Sequence, residues 1–519
     1  MLNRLLSCFR WGALLLFVAM LSSCMVGPDF HSPNEPNIKH YTPAPFPKKT
    51  VSTPGSKGGT AQTFVLDEEL PANWWTLFHS PQLNDLIQTG LAHSPNMAAA
   101  KAALIQAQEN LTAQIGSSLF PAFSANVTGT RERIPPAGES SGSTGGGGAT
   151  IFNLFDAGVN VSYTLDVFGG LRRGIEAEAA LVDLAKFQLD AAFLTLTSNI
   201  VTTAITTASL RAQIKATKAL LHDDEESLKI LKEQYALGAI PLTSVLTQQS
   251  EVATTRASLS PLEQNLAQQL HALSVLIGEF PSEDRLPVFN LYQLHLPTRL
   301  PISMPSALVR QRPDIRAAEA TLHNTSAQIG VATANLYPQV TITGNYGWEN
   351  TVLSSLINPN NKAWAIGPAV TESIFNGGAL IAKKNAAIAA YQQAAAQYKE
   401  TVLQGFKNVA DTLRALQNDA KALNAEREAE VAAKNALTLT QKQYQLGGAN
   451  YIDLLIAERT YQQTTILRIQ AQALRYTDTA ALFQALGGAW WRRPCLECDI
   501  VLTRNTEQYT PGNFNKTGS

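Results

Sequence analysis

The chain has 519 residues, 45% hydrophobic and 16% charged, with 40 Lys+Arg set against 41 Asp+Glu. Near-neutral charge leaves no electrostatic footprint of a nucleic-acid binder, and 33 Gly with 26 Pro exclude collagen-like and wholly disordered chains. Four cysteines (Cys8, Cys24, Cys495, Cys498) cannot staple a chain this long. Past residue 24 no stretch approaches the roughly 18 apolar residues of a membrane-spanning helix, which excludes a helical inner-membrane transporter.

Residues 1–23 read as a lipoprotein signal peptide. Arg4 and Arg10 give a positive start, Trp11 to Leu21 an apolar segment, and Leu21-Ser22-Ser23-Cys24 a cleavage box. Cutting before Cys24 leaves its thiol to carry a diacylglycerol and its amine an acyl chain, and two or three chains make a stable anchor at about 0.8 kcal/mol per buried CH2. Met25, where an Asp would retain the chain at the inner membrane, favours the outer membrane. Residues 24–75, with Pro28, Pro33, Pro36, Pro43, Pro45, Pro47 and Pro54, read as an extended tether with little helix.

The body reads as a tandem repeat, 76–290 and 291–490. PNMAAAKAAL from Pro95 and SSLFPAFSANVTG return as PDIRAAEATL from Pro313 and ANLYPQVTITG. Phe168-Gly169-Gly170, Tyr235-Ala-Leu-Gly238 and Leu276-Ile-Gly278 return in order as Phe375-Asn376-Gly377-Gly378, Tyr444-Gln-Leu-Gly447 and Leu486-Gly-Gly488. Residues 175–236 and 379–446 contain no proline and predict helices about 95 Å long. Their seams run through Leu210, Ile214, Thr217, Leu221, Leu228, Leu231 and Tyr235, and through Phe406, Val409, Leu413, Leu416, Ala420 and Leu423, at coiled-coil spacing.

Each repeat also predicts two strands, about 121–132 and 151–168, then 338–348 and 363–375. Val159, Val161, Tyr163, Leu165 and Val167 alternate with Asn160, Ser162, Thr164 and Asp166, as Val340, Ile342, Tyr346 and Trp348 alternate with Gln339, Thr341, Thr343 and Asn345. One apolar face over nine or ten residues suits a membrane barrel wall. The fold class is therefore mixed α and β, with four membrane strands per chain. Four strands cannot close a barrel, and a lipid-exposed edge leaves backbone groups unbonded. Several chains must share one: two give eight strands, three give twelve with room for a pore.

No catalytic or metal constellation emerges. The eight histidines include no HExxH pair, and Gly145 to Gly148 lack the Lys-Ser/Thr of a phosphate loop. Cys495-Leu-Glu-Cys498, in the tail 491–519, offers only two of the four ligands a structural zinc needs. The sequence predicts no enzyme, no cofactor beyond the lipid on Cys24, and no nucleic-acid partner.

Cys24-Met-Val-Gly-Pro-Asp-Phe30, RQRPDIRAAEATL at 310–322, ANLYPQVTITG at 334–344, SIFNGG at 373–378 and YQLGGANYIDLLIAE at 444–458 together resemble the TolC-type outer membrane factors, in their NodT/OprM-like lipoprotein branch. The resemblance covers roughly residues 24–490. It implies a homotrimer, with a twelve-stranded barrel in the outer membrane continued by a periplasmic α-barrel, and with one long helix and two short ones stacked end to end per repeat. The implied role is the exit duct of a tripartite pump, working with a periplasmic adaptor protein and an inner-membrane resistance-nodulation-division pump. Drugs or other small molecules are the implied cargo, and a peptide or protein exporter is the alternative. Gly238 and Gly447 then end the long helices at the periplasmic turns. Asp453 stands where relatives carry an aspartate that rings a closed aperture and attracts cations, or else serves as a helix-start residue. Tyr444 is placed to bond between neighbouring hairpins.

Overall fold

The computed structural model describes residues 25–43, 47–68, 70–134, 150–283 and 286–492. Residues 1–23, expected to be a signal peptide, lie outside the described residues, as do Cys24, residues 135–149, Cys495 and Cys498. Eight helices are described: α1 (Pro81–His93), α2 (Pro95–Leu119), α3 (Gly170–Ala236), α4 (Leu242–Ile277), α5 (Pro305–Gln311), α6 (Pro313–Ala334), α7 (Ala379–Gln445) and α8 (Tyr451–Ala485). The strands are β1 (Thr63–Leu66), β2 (Ala122–Ile134), β3 (Thr150–Leu165), β4 (Arg299–Ile302), β5 (Gln339–Asn350) and β6 (Lys362–Thr371).

The two halves follow one order. In each, two helices lead to two strands, then to a helix of 67 residues, then to one of 36 or 35. Proline punctuates both halves alike. The ring of Pro95 holds Ser94 extended (ψ 123°), and that of Pro313 holds Arg312 extended (ψ 123°), so α1 stops short of α2 and α5 short of α6. None of the described helices is long and apolar enough to cross a membrane.

The chain forms two compact units, each drawing on both halves. The first comprises the described residues up to Ser32, with Ile105–Leu184 and Ala318–Tyr398. It contains an antiparallel sheet in the order β2-β3-β5-β6. Register carries the alternation across all four strands: Phe123, Val161, Gly344 and Ile366 stand in one row, and Ala125, Val159, Tyr346 and Trp364 in the next. The opposite face is polar, where the Asn160 amide donates to Asn126 Oδ1 at 2.8 Å and Asn126 donates to Asp156. On the apolar face Phe123, Val127, Trp364, Ile366 and Val370 are 67–80% exposed, far too much apolar surface to leave facing water.

Two strands end sooner than the sequence predicts. β3 stops at Leu165 because Asp166 turns inward to accept the N–H groups of Leu171 (3.0 Å) and Arg172 (2.9 Å), capping α3. β6 stops at Thr371, opposite Gln339, because the next partner position would be Pro338, which has no N–H to give.

The proline-rich start is docked rather than loose in this unit. Val26 donates its N–H to Phe168 (3.1 Å), and the buried Arg173 reaches the Val26 and Gly27 carbonyls, Asp29 (2.7 Å) and Glu176 (2.7 Å). Phe30 stacks on His323 with centroids 4.3 Å apart. Gly27 takes φ 97°, and a Cβ there would stand 2.4 Å from the Gly330 Cα, so only glycine fits.

The second unit comprises Pro33–Leu104, Ala185–Ala317 and the described residues from Lys399. Its core gathers Trp74, Trp75 and Phe78 against Phe483, Phe193 and Tyr476. β1 pairs in parallel with β4, Thr63 opposite Arg299. The buried Arg475 donates to the carbonyls of Gly58 (2.7 Å) and Thr60 (3.1 Å), so this part of the expected tether is also stitched down. On α7 Val409, Leu413, Leu416, Ala420 and Leu423 are buried, each leucine contributing about 1.5–3 kcal/mol. On α3 Leu210, Ile214, Thr217 and Leu231 are buried while Tyr235 is exposed.

Candidate functional site

The sequence places its site residues at the two helical turns, both in the second unit. α3 ends at Ala236, and Gly238 takes φ 73°; α7 ends at Gln445, and Gly447 takes φ 75°. The hydrogen bonds match: Gly238 donates to Tyr235 (2.9 Å) and Ala239 to Gln234 (2.9 Å), as Gly447 donates to Tyr444 (3.1 Å) and Gly448 to Gln443 (2.7 Å). Each turn is a Schellman closure, in which a left-handed glycine satisfies the last helical carbonyls.

Beyond the glycines the turns differ. α4 begins after Pro241 with no side-chain cap. α8 begins with a capping box: Asn450 Oδ1 accepts the Asp453 N–H (2.9 Å), and Asp453 Oδ2 accepts the Asn450 N–H (3.2 Å). Asp453 thus caps its helix while its carboxylate stays exposed. Tyr444 sits edge-on to Tyr451 with centroids 6.1 Å apart, a contact inside one hairpin.

The structure adds residues that the sequence reading did not single out. Tyr451 donates its hydroxyl to Gln248 Oε1, and Arg459 pairs with Glu251, tying α8 to α4. Gln248 Nε2 donates to the Asp224 carbonyl (2.9 Å), and Thr255 donates to the Asp224 carboxylate (2.8 Å), tying α4 to α3. Asp224 is only 2% exposed. Burial raises its pKa against the opposing help of those hydrogen bonds. Burial, reinforced by Asp224 and Asp223, pushes Glu458 up to about 7 and raises Tyr451 well above the phenol range with Glu458 and Asp224 adding to it. A cavity of about 410 Å³ opens beside Glu458, between α3, α7 and α8.

A signal for this polar seam was present. The α3 seam steps from Leu221 to Leu228 in one stride of seven, and the omitted position is Asp224. On α4 the buried positions 245, 248, 252, 255 and 259 step 3-4-3-4 and include Gln248 and Thr255. A polar residue at a seam position specifies a partner and costs stability.

A sheet with one apolar, exposed face, in a chain whose long helices end in glycine turns, fits a membrane channel protein. The model of the outer membrane efflux protein family matches residues 86–279 and 304–488, once in each half, and the chain belongs to that family. It is 27% identical over 424 residues to the pyoverdine export outer membrane protein OpmQ of Pseudomonas aeruginosa, covering 80% of this chain and 87% of OpmQ. It is 27% identical over 475 residues to the cation efflux system protein CusC of Escherichia coli, covering 91% of this chain and 96% of CusC. Among solved structures it is similar to the outer-membrane channel OprN (25% identity, TM-score 0.79, 90% of this chain and all of that one). VceC of Vibrio cholerae matches at 28% identity and a TM-score of 0.72, covering 81% of this chain and 99% of that one. The protein is an outer-membrane efflux duct, a channel and not an enzyme.

Proposed function

We propose that three copies of the chain share one twelve-stranded barrel and pass drugs or other small molecules outward. The observation that carries this is the sheet order β2-β3-β5-β6, which leaves β2 and β6 as edges beside an apolar face. In lipid each unpaired backbone group costs several kcal/mol, so edges must meet edges of other copies. Native mass measurement in detergent is expected to give three chains, and planar bilayers a conducting pore. A stable monomer or dimer from outer membranes would refute the proposal.

In this reading Cys24 carries the acyl anchor, and repeats 76–290 and 291–490 each supply one turn to the periplasmic aperture. Asp453 rings that aperture with its copies, and Tyr444 braces it. The turns also present Leu237 (85% exposed) and Leu446 (88% exposed), apolar side chains suited to docking a periplasmic adaptor that connects to an inner-membrane resistance-nodulation-division pump. Relatives carry names as different as pyoverdine export and cation efflux. That spread on one fold fits a passive duct whose cargo is chosen by the pump.

A further inference from the structure

A second feature of the second unit is unused by the duct. On α3, Arg211, Lys215 and Lys218 fall at i, i+4 and i+7 and form one basic stripe. The stripe floors a cleft of about 530 Å³, walled by Glu263 and Leu266 of α4 and by Val288, Phe289, Asn290 and Tyr292. Among the described residues Glu263 is the one carboxylate in the lining, and it pairs with Lys218 at 2.8 Å. Lys57 adds a fourth cation at the rim by donating to the Tyr292 carbonyl (3.0 Å). Arg211 Nε is shielded from water and has no hydrogen-bond partner among the described residues. Arg211 lines the cleft, and a guanidinium holds carboxylates through short, charge-assisted hydrogen bonds. Val288 (61% exposed) and Tyr292 (41% exposed) add an apolar wall and an aromatic ring, the kind of surface on which sugar rings rest.

Position narrows the ligand. The cleft lies wholly in the second unit, which holds none of the four strands of the larger sheet. The helices of an outer-membrane duct stand in the periplasm, and the anionic polymer there is the cell wall, whose stem peptides carry carboxylates next to sugar rings. We propose that this cleft binds peptidoglycan through Arg211, Lys215 and Lys218, and so fixes the duct within the wall. The proposal rests on the outer-membrane placement of the duct.

The test is co-sedimentation of the full-length, detergent-purified protein with isolated sacculi. Replacing Arg211, Lys215 and Lys218 together by Ala is expected to weaken binding at least tenfold, while the charge-keeping pair K215R and K218R retains it. Amidating the sacculus carboxylates is expected to abolish binding, and raised salt to weaken it. The proposal is overturned if wild-type protein does not sediment, if the triple Ala variant binds within twofold of wild type, or if amidated sacculi bind as well. It is overturned equally if anionic phospholipid vesicles compete better than soluble muropeptides. Bilayer conductance measured on the same preparations separates the two readings. A wild type that does not conduct counts against the duct, whereas lost sacculus binding with intact conductance in the Ala variant supports the cleft.

Discussion

Removing Arg459 and removing Glu251 are expected to have unequal consequences, although the two residues form one ion pair. The Glu251 side chain is 6% exposed and that of Arg459 55%. Arg459→Ala strands a buried carboxylate, whereas Glu251→Ala releases an arginine that is already more than half in water. Stranding a fully buried charge costs about 3–5 kcal/mol, and an exposed pair is worth about 0–1 kcal/mol. With one partner in each setting, about 2 kcal/mol is expected for Arg459→Ala and about 0.5–1 kcal/mol for Glu251→Ala. At 1.4 kcal/mol per tenfold these correspond to about 30-fold and less than about 5-fold faster local opening. Hydrogen exchange at the α4 amides around Gln248 to Leu259 reads this directly. The double variant is expected to return to the Glu251→Ala level, because the stranded carboxylate is gone. Equal effects of the two single variants, or no protection change in Arg459→Ala, would refute the burial argument.

Asp453→Ala is expected to raise single-channel conductance or lower cation preference, while Asn450→Ala removes only the cap, costs about 1 kcal/mol and leaves conduction alone; indistinguishable conductances would reduce Asp453 to a capping residue. Glu458 is held up near pKa 7 against an ordinary value of 4.5. Its protonated form favours the fold, so its contribution is complete below about pH 4.5 and is lost as pH rises through 7. Melting temperature should therefore decline over that window, and Glu458→Gln should flatten the slope. Palmitate labelling is expected in wild type and absent in Cys24→Ser, with assembly retained when the variant carries a cleavable signal; equal labelling would remove the anchor.

The parts of the fold that were legible are those with a local period. Alternation from Val159 to Leu165 announces a strand because successive side chains point to opposite faces of the sheet, and the 3-4 steps from Phe406 to Leu423 announce a seam that is buried from Val409 on. Strand ends were misplaced because Asp166 and Pro338 act through neighbours that periodicity does not weigh. The reading of residues 24–75 missed their docking for a related reason. Proline-rich composition looks like a linker, yet Arg173, 144 residues from Asp29, pins the start and Arg475 pins the stretch around Gly58. At the site, Gly238, Gly447 and the helix-start place of Asp453 were readable from turn chemistry. Asp224 and Gln248 left a trace in the seam spacing, but their roles and those of Glu251 and Arg459 lie in three helices meeting, which periodicity does not show.

The seat of residues 25–30 takes Arg173 and Glu176 from the first half of the chain and His323 and Gly330 from the second. During synthesis residues 25–30 emerge long before Gly330, so their seat cannot close until both halves have contributed to it. Any receptor that reads residues 25–30 meets them before that point, and their disappearance under Arg173 marks a molecule in which the two halves have come together.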